Sequence, residues 1–155
     1  MLTFSKKSKY ALQALLALAQ ERPDQPVGIA KLAHQEGIPK KFLELILLEL
    51  KNKGMLQSKK GKGGGYSLNR KPEAISLGEI IRTLEGPLAP LPCASKTAYR
   101  KCPDCADEST CGIRAIMTEV RDATSAILDR QSLASILIRM ETLKNQKNKV
   151  PMYAI

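Results

Sequence analysis

The chain has no tryptophan, two phenylalanines, four tyrosines and a single histidine in 155 residues. So few aromatics exclude the stacking platforms on which single-strand nucleic-acid binders lay successive bases. The one histidine, His34, leaves a cysteine–histidine pair as the nearest thing to a nucleophilic site, and no third group or oxyanion site accompanies it. No run of about twenty apolar residues occurs, which excludes a membrane-spanning helix. The start, Met1 to Lys7, leads into an amphipathic stretch and lacks the apolar core of a secretory signal, so the expected compartment is the cytoplasm. No internal repeat or low-complexity tract is found. Cysteine is absent from residues 1–92 and from 112–155, and all four cysteines fall between Cys93 and Cys111.

What is present is positive charge, unevenly spread. Net charge is +10. Residues 1–86 carry fifteen Lys/Arg against eight Asp/Glu, residues 87–111 three against three, and residues 112–155 seven against four. The excess sits in the first half and favours a polyanionic partner.

That half is also where the pattern is clearest. Tyr10, Ala11, Ala14, Leu15, Leu18 and Ala19 recur at three- and four-residue spacing, predicting a helix over 7–20 that Pro23 ends. A short helix over roughly 28–36 is closed by Gly37. A third follows Pro39, starts with Lys40 and Lys41, and carries Phe42, Leu43, Ile46, Leu47 and Leu50 as its expected buried stripe. Helix, Gly-containing turn, amphipathic helix is the layout of a helix-turn-helix, whose second helix enters the DNA major groove by its N-terminal end.

Two short strand-like stretches come next, Met55–Ser58 and Tyr66–Leu68, joined by a loop of lysines and glycines that reads as a β-hairpin, the wing of a winged helix. Its lysines suit phosphate contacts and its glycines allow close backbone approach. The spacing of a nucleotide-binding P-loop is absent. Ser76 with Glu79 predicts a capping box for a helix carrying Leu77, Ile80, Ile81 and Leu84, stopped by Gly86-Pro87. The fold class expected is mainly α with a small β-hairpin. The expected divisions are a winged helix over 1–86, a cysteine loop over 87–111, dimerisation helices over 112–144, and a tail over 145–155. Ile113, Met117, Val120, Thr124 and Ile127 approach a heptad seam. A helix outside so small a domain suits packing against a symmetry mate, with packing onto its own domain as the alternative.

The loop itself is Pro-rich and reads Cys-x8-Cys-x2-Cys-x5-Cys through Cys93, Cys102, Cys105 and Cys111. Thiolates are soft ligands for an iron–sulfur cluster or zinc, and in a reducing compartment clustered cysteines bind metal or sense redox state. Only Cys102 and Cys105 have the spacing usual for structural zinc. The alternative to a metal is a set of redox thiols with no cofactor. His34 is a further candidate ligand, contributed by a partner subunit.

These motifs together resemble the Rrf2 family of bacterial transcription regulators over residues 1–140. The resemblance is carried by Ser8-Lys-Tyr10-Ala-Leu12, Phe42-Leu43-Glu44, Leu50-Lys51-x-x-Gly54-Met-Leu56, the wing from Ser58 through Gly61 and Gly65 to Tyr66 and Leu68, Ile75-Ser-Leu77, and Leu84-Glu85-Gly86 before Cys93. It implies a winged-helix homodimer, joined by a long C-terminal helix, on a double-stranded DNA operator. The function expected is that of a regulator, most simply a repressor, gated by the cysteine loop. The DNA-facing set is then Lys9, Tyr10, Lys40, Lys41, Glu44, Ser58, Lys59, Lys60, Lys62, Gly63, Gly64 and Tyr66, with Lys60 standing where the family usually has an arginine. Iron–sulfur members of the family imply Cys93, Cys105 and Cys111 as ligands, with Cys102 extra. The position where some carry a histidine ligand is here Arg114, and the acidic residue others carry before the tyrosine is here Lys9. Cluster-free members imply a protein partner from cysteine metabolism or thiol oxidation. A different class of function, a metal- or cluster-binding accessory protein of sulfur or iron–sulfur metabolism, would use the basic face for an acidic protein.

Overall fold

The computed structural model describes residues 4–149. Helix α1 (Lys6–Gln20) buries Ala11, Ala14, Leu15 and Leu18 of the expected stripe together with Ser8, while Tyr10 and Ala19 are half-buried at its edges. Ser5 caps it, its hydroxyl accepting from the Ser8 amide at 3.2 Å. Helix α2 (Ile29–Glu36) ends at Gly37, whose left-handed backbone (φ 64°) turns the chain within three residues into α3 (Lys40–Asn52). Helix α3 buries Leu43, Ile46, Leu47 and Leu50. Phe42, expected with that stripe, lies at its edge and is 37% exposed, its ring packed edge-on against Tyr10 with centroids 5.8 Å apart.

Strands β1 (Leu56–Lys59) and β2 (Gly65–Leu68) pair antiparallel, Leu56 opposite Leu68 and Lys59 opposite Gly65. Val27 adds a rung on the far side of β2, exchanging backbone hydrogen bonds with Tyr66 at 2.8 and 2.9 Å. Helix α4 (Leu77–Glu85) starts at Ser76, whose hydroxyl accepts from the Glu79 amide at 3.1 Å. Only half of the capping box forms: the Glu79 carboxylate turns away to Arg70, 2.5 Å off.

Beyond the loop lie α5 (Gly112–Asp129) and α6 (Leu133–Lys149). The two behave differently. Leu133 is fully buried in the winged-helix core, and the turn before it is stitched to the start of α4 by Leu77 N–H to Gln131 O (2.7 Å) and Leu133 N–H to Ile75 O (3.0 Å). Helix α6 therefore grows out of the DNA-binding fold and runs through residues 145–149, where the sequence suggests a tail. The rest of that tail, 150–155, lies outside the described residues. Helix α5 buries none of its eighteen residues, leaving Ile113, Ile116, Val120 and Ile127 exposed along one side. Its C-terminal end is fixed to α4 by a two-pronged ion pair, Arg82 to Asp129 at 2.8 and 2.6 Å. Gly78 permits this approach, because a Cβ there would collide with the Asp129 carboxylate. No described helix is long and apolar enough to cross a membrane.

Candidate nucleic-acid interface and cysteine loop

Because α3 buries one stripe, its opposite face is fixed by helical period. Lys41, Leu45, Leu48 and Asn52 follow one another up that face, and all four are exposed. Lys40 and Glu44 flank it, also exposed. The β1–β2 hairpin adds Ser58, Lys59, Lys60, Lys62 and Gly63, all exposed. Lys9 is exposed on α1, while Tyr10 is half-buried against Phe42. Tyr66 is likewise half-buried, its backbone committed to Val27. The hairpin glycines have a structural cause: a Cβ on Gly64 would strike the Lys59 carbonyl, and one on Gly65 the Val27 carbonyl. Among the described residues, Lys9, Lys40, Lys41, Lys59, Lys60 and Lys62 form no ion pair. Their charge is therefore uncommitted and suits the phosphates of a duplex.

The cysteine loop is held from α5. Arg114 Nε donates to the Cys93 carbonyl at 3.0 Å, and the Arg121 guanidinium donates to the Ala94 carbonyl. Cys93 and Ala94 are buried there with Leu88 and Ile81, apart from the main core. Cys111 caps α5, its sulfur accepting from the Arg114 amide at 3.5 Å, where the helix N-terminus favours negative charge. Partial burial pushes the Cys105 thiol up, and the Cys111 and Cys102 sulfurs nearby add to the shift. Asp104, its neighbour in sequence, is not among the causes.

All four cysteines line one cavity of about 540 Å³, together with Leu91, Glu108, Ile113 and Arg114. The donor chemistry suits a thiolate-bound metal or cluster. The thiols share a wall without being closed on one point, for among the described residues no three His, Cys, Asp or Glu side chains are placed to hold a metal ion. His34 is exposed on α2 and does not line this cavity.

Comparison with known proteins agrees with this architecture. The Rrf2 family, described as "Iron-dependent Transcriptional regulator", matches residues 4–139. The chain belongs to the Rrf2 family. An Rrf2-like HTH-type transcriptional regulator of Rhodobacter capsulatus is 45% identical over 136 residues, spanning 86% of this chain and 91% of the relative. CymR of Bacillus subtilis is 30% identical over 132 residues, 85% of this chain and 87% of CymR. In structure, the global cysteine regulator CymR of B. subtilis superposes with a TM-score of 0.71 at 31% identity, over 88% of this chain and 96% of that one. IscR of T. potens does so at 0.71 and 28%, over 92% and 90%. This Rrf2 protein is thus a winged-helix transcription regulator and not an enzyme.

Two groups of residues matter here that sequence reasoning missed. Leu45 and Leu48 stand out on α3, and their signal was available: they fall opposite Leu43, Ile46, Leu47 and Leu50 in helical phase. Arg114 and Arg121 tie the loop down across 21 and 27 residues, and no local pattern announces so distant a contact.

Proposed function

We propose that this protein is a homodimeric regulator, acting as a repressor, whose grip on a double-stranded operator is gated by what its cysteine loop holds. The observation that carries the gating is the shared cavity: Cys93, Cys102, Cys105 and Cys111 surround one space at the N-terminus of α5. That helix leads directly to the Arg82–Asp129 clasp on α4, and so to the DNA-binding core. When bound, an iron–sulfur cluster supplies a redox-sensitive cross-link between the loop and α5. Cys102 serves as the fourth thiolate in this reading, since it lines the cavity with the other three. Arg114 and Arg121 hold the Cys93–Ala94 backbone in place for that group. A loop no longer held to α5 by these residues would change how α5 meets its mate and alter half-site spacing.

The homodimer reading rests on α5, whose isoleucines and valine are left exposed among the described residues. The DNA-facing set remains Lys9 and Tyr10 of α1, Lys40, Lys41 and Glu44 of α3, and Ser58, Lys59, Lys60, Lys62, Gly63, Gly64 and Tyr66 of the hairpin.

The test is an anaerobic absorbance spectrum of freshly isolated protein with iron, zinc and acid-labile sulfide assayed, followed by operator binding with and without the group. Visible absorbance with matched iron and sulfide, reduced by Cys102→Ser, supports the cluster. Zinc without sulfide would replace it. A second reading has its own support, because Cys105 and Cys111 line the same cavity as free thiols. In it a peroxide removes two electrons and two protons from these thiols, giving a disulfide and water. A metal-free protein whose Cys105–Cys111 bond forms on peroxide treatment, read by peptide mass, would favour that switch.

A further inference from the structure

Helix α3 segregates its residues, and besides Phe42 at the edge of the stripe two leucines depart from the pattern. Leu43, Ile46, Leu47 and Leu50 are all at most 1% exposed, yet Leu45 is 66% exposed and Leu48 is 48% exposed. Both lie on the outermost face of the helix, directly above Lys41. Nothing in the hydrophobic core calls for leucine there. The start of this face is cationic: Lys40 and Lys41 begin the helix and the hairpin brings Lys59, Lys60 and Lys62, all exposed, while Glu44 stands beside Leu45 and Glu49 above it is paired with Lys7. With this excess of lysine, the face does not suit a basic second copy of this chain, which would set like charges against each other. It does suit the major groove, where phosphates line the rims and the thymine C5-methyl is the one apolar group on the base edges. Leu45 is the sixth residue of α3, within the N-terminal part that enters the groove in helix-turn-helix proteins.

We infer that Leu45 is a specificity-determining residue that packs against a thymine methyl in each operator half-site. This deepens the DNA-binding reading and rests on it. Lysine contacts to phosphate position the helix without reading sequence. Glu44, one residue earlier, is an acceptor suited to a cytosine amino group. Leu45 adds the apolar contact that separates thymine from cytosine, which lacks the methyl, so the half-site is read by shape and methyl as well as by hydrogen bonds.

Deoxyuridine removes the methyl and nothing else. The full-length protein, as isolated, first selects its operator from a random duplex pool, and each thymine of the selected half-site is then replaced singly by deoxyuridine. At one position per half-site wild-type binding is expected to weaken about fourfold, the worth of one buried methyl group. Leu45→Ala, a surface change, is expected to bind that deoxyuridine operator and its thymine parent equally well, with an unchanged salt slope. Equal losses for wild type and variant at every thymine would overturn the role of Leu45 and leave DNA binding intact. A Leu45→Ala protein with altered sedimentation in the absence of DNA would place the residue at a contact between copies and overturn it too. Failure to enrich any sequence would instead sink the operator reading itself, with the electrostatic slope left to show whether duplex DNA is bound at all.

Discussion

Helices α1 and α5 are of similar length and both amphipathic, α5 the more so, yet α1 buries five residues and α5 none. The difference lies in what stands opposite. Helix α1 meets α2, α3, α4, α6 and β2, so its apolar stripe is satisfied within the chain. Among the described residues, helix α5 makes its main contacts with α4 and with the loop turn carrying Cys93. Amphipathic periodicity reports that a helix has a face to cover, and it is silent on whether the cover is intramolecular. Among the described residues the apolar stripe of α1 is covered within the chain and that of α5 is left exposed.

The sharpest way to break this comparison is a charge on α5. Val120→Glu should leave the monomer folded while abolishing the dimer, read by sedimentation equilibrium. Operator binding should fall by roughly a hundredfold or more, because two linked half-site contacts become two separate ones. A dimeric Val120→Glu protein would show that the mates meet elsewhere. Next in size is truncation on either side of the comparison. Leu47→Ala in the core should cost about 2–5 kcal/mol in chemical denaturation. Ile116→Ala, made in the Val120→Glu monomer, should change stability by no more than about 0.5 kcal/mol, as surface substitutions do. Similar costs for both would mean that α5 folds back in solution.

How much of this was legible in sequence follows the same divide. The winged helix could be read almost whole, since each helix carries its stripe and meets its neighbours through short connections. Gly37 and Gly54 marked their turns, and the lysine–glycine hairpin stood where it was expected. Phe42 strayed because stripe membership at an edge depends on a neighbour, Tyr10, thirty-two positions away. The second half of the capping box strayed because Arg70 competes for Glu79. Leu133 fell to the winged helix although its own helix begins beyond the loop, for its periodicity could not say which core it would enter. The cysteine cluster was plain, but its anchoring by Arg114 and Arg121 is a tertiary event.

The two regions also differ electrostatically. The lysines of α3 and the hairpin are unpaired, whereas several charges around the loop are spoken for: Arg121 and Lys96 by Asp122, and Arg82 by Asp129. Replacing Lys40 and Lys41 by Ala should weaken operator binding and make the slope of log K against log salt shallower by about 1.8, two phosphate contacts' worth. An unchanged slope would move the DNA surface off the α3 N-terminus. Lys96→Ala, on the paired side, should leave the slope as it is.

The smallest effect expected is at the seam between the regions. Glu85 is the last residue of α4 and stands at the root of the cysteine loop, yet its carboxylate accepts from the Ser5 amide (2.8 Å), the Ser5 hydroxyl (2.6 Å) and the Ser8 hydroxyl (2.5 Å) at the start of α1. A negative charge there also answers the positive end of that helix. Its hydrogen bonds from Ser5 and Ser8 hold the Glu85 carboxyl below the usual carboxylate range. A carboxyl more acidic in the folded than in the unfolded chain adds stability above its unfolded pKa. That stability disappears as pH falls through the folded value. Glu85→Gln should therefore lower the urea midpoint modestly at neutral pH, and the gap from wild type should close as pH is lowered through the carboxylate range. A gap that persists unchanged in acid would mean that Glu85 acts there by its shape and packing, with its charge playing no part in joining the loop's root to α1.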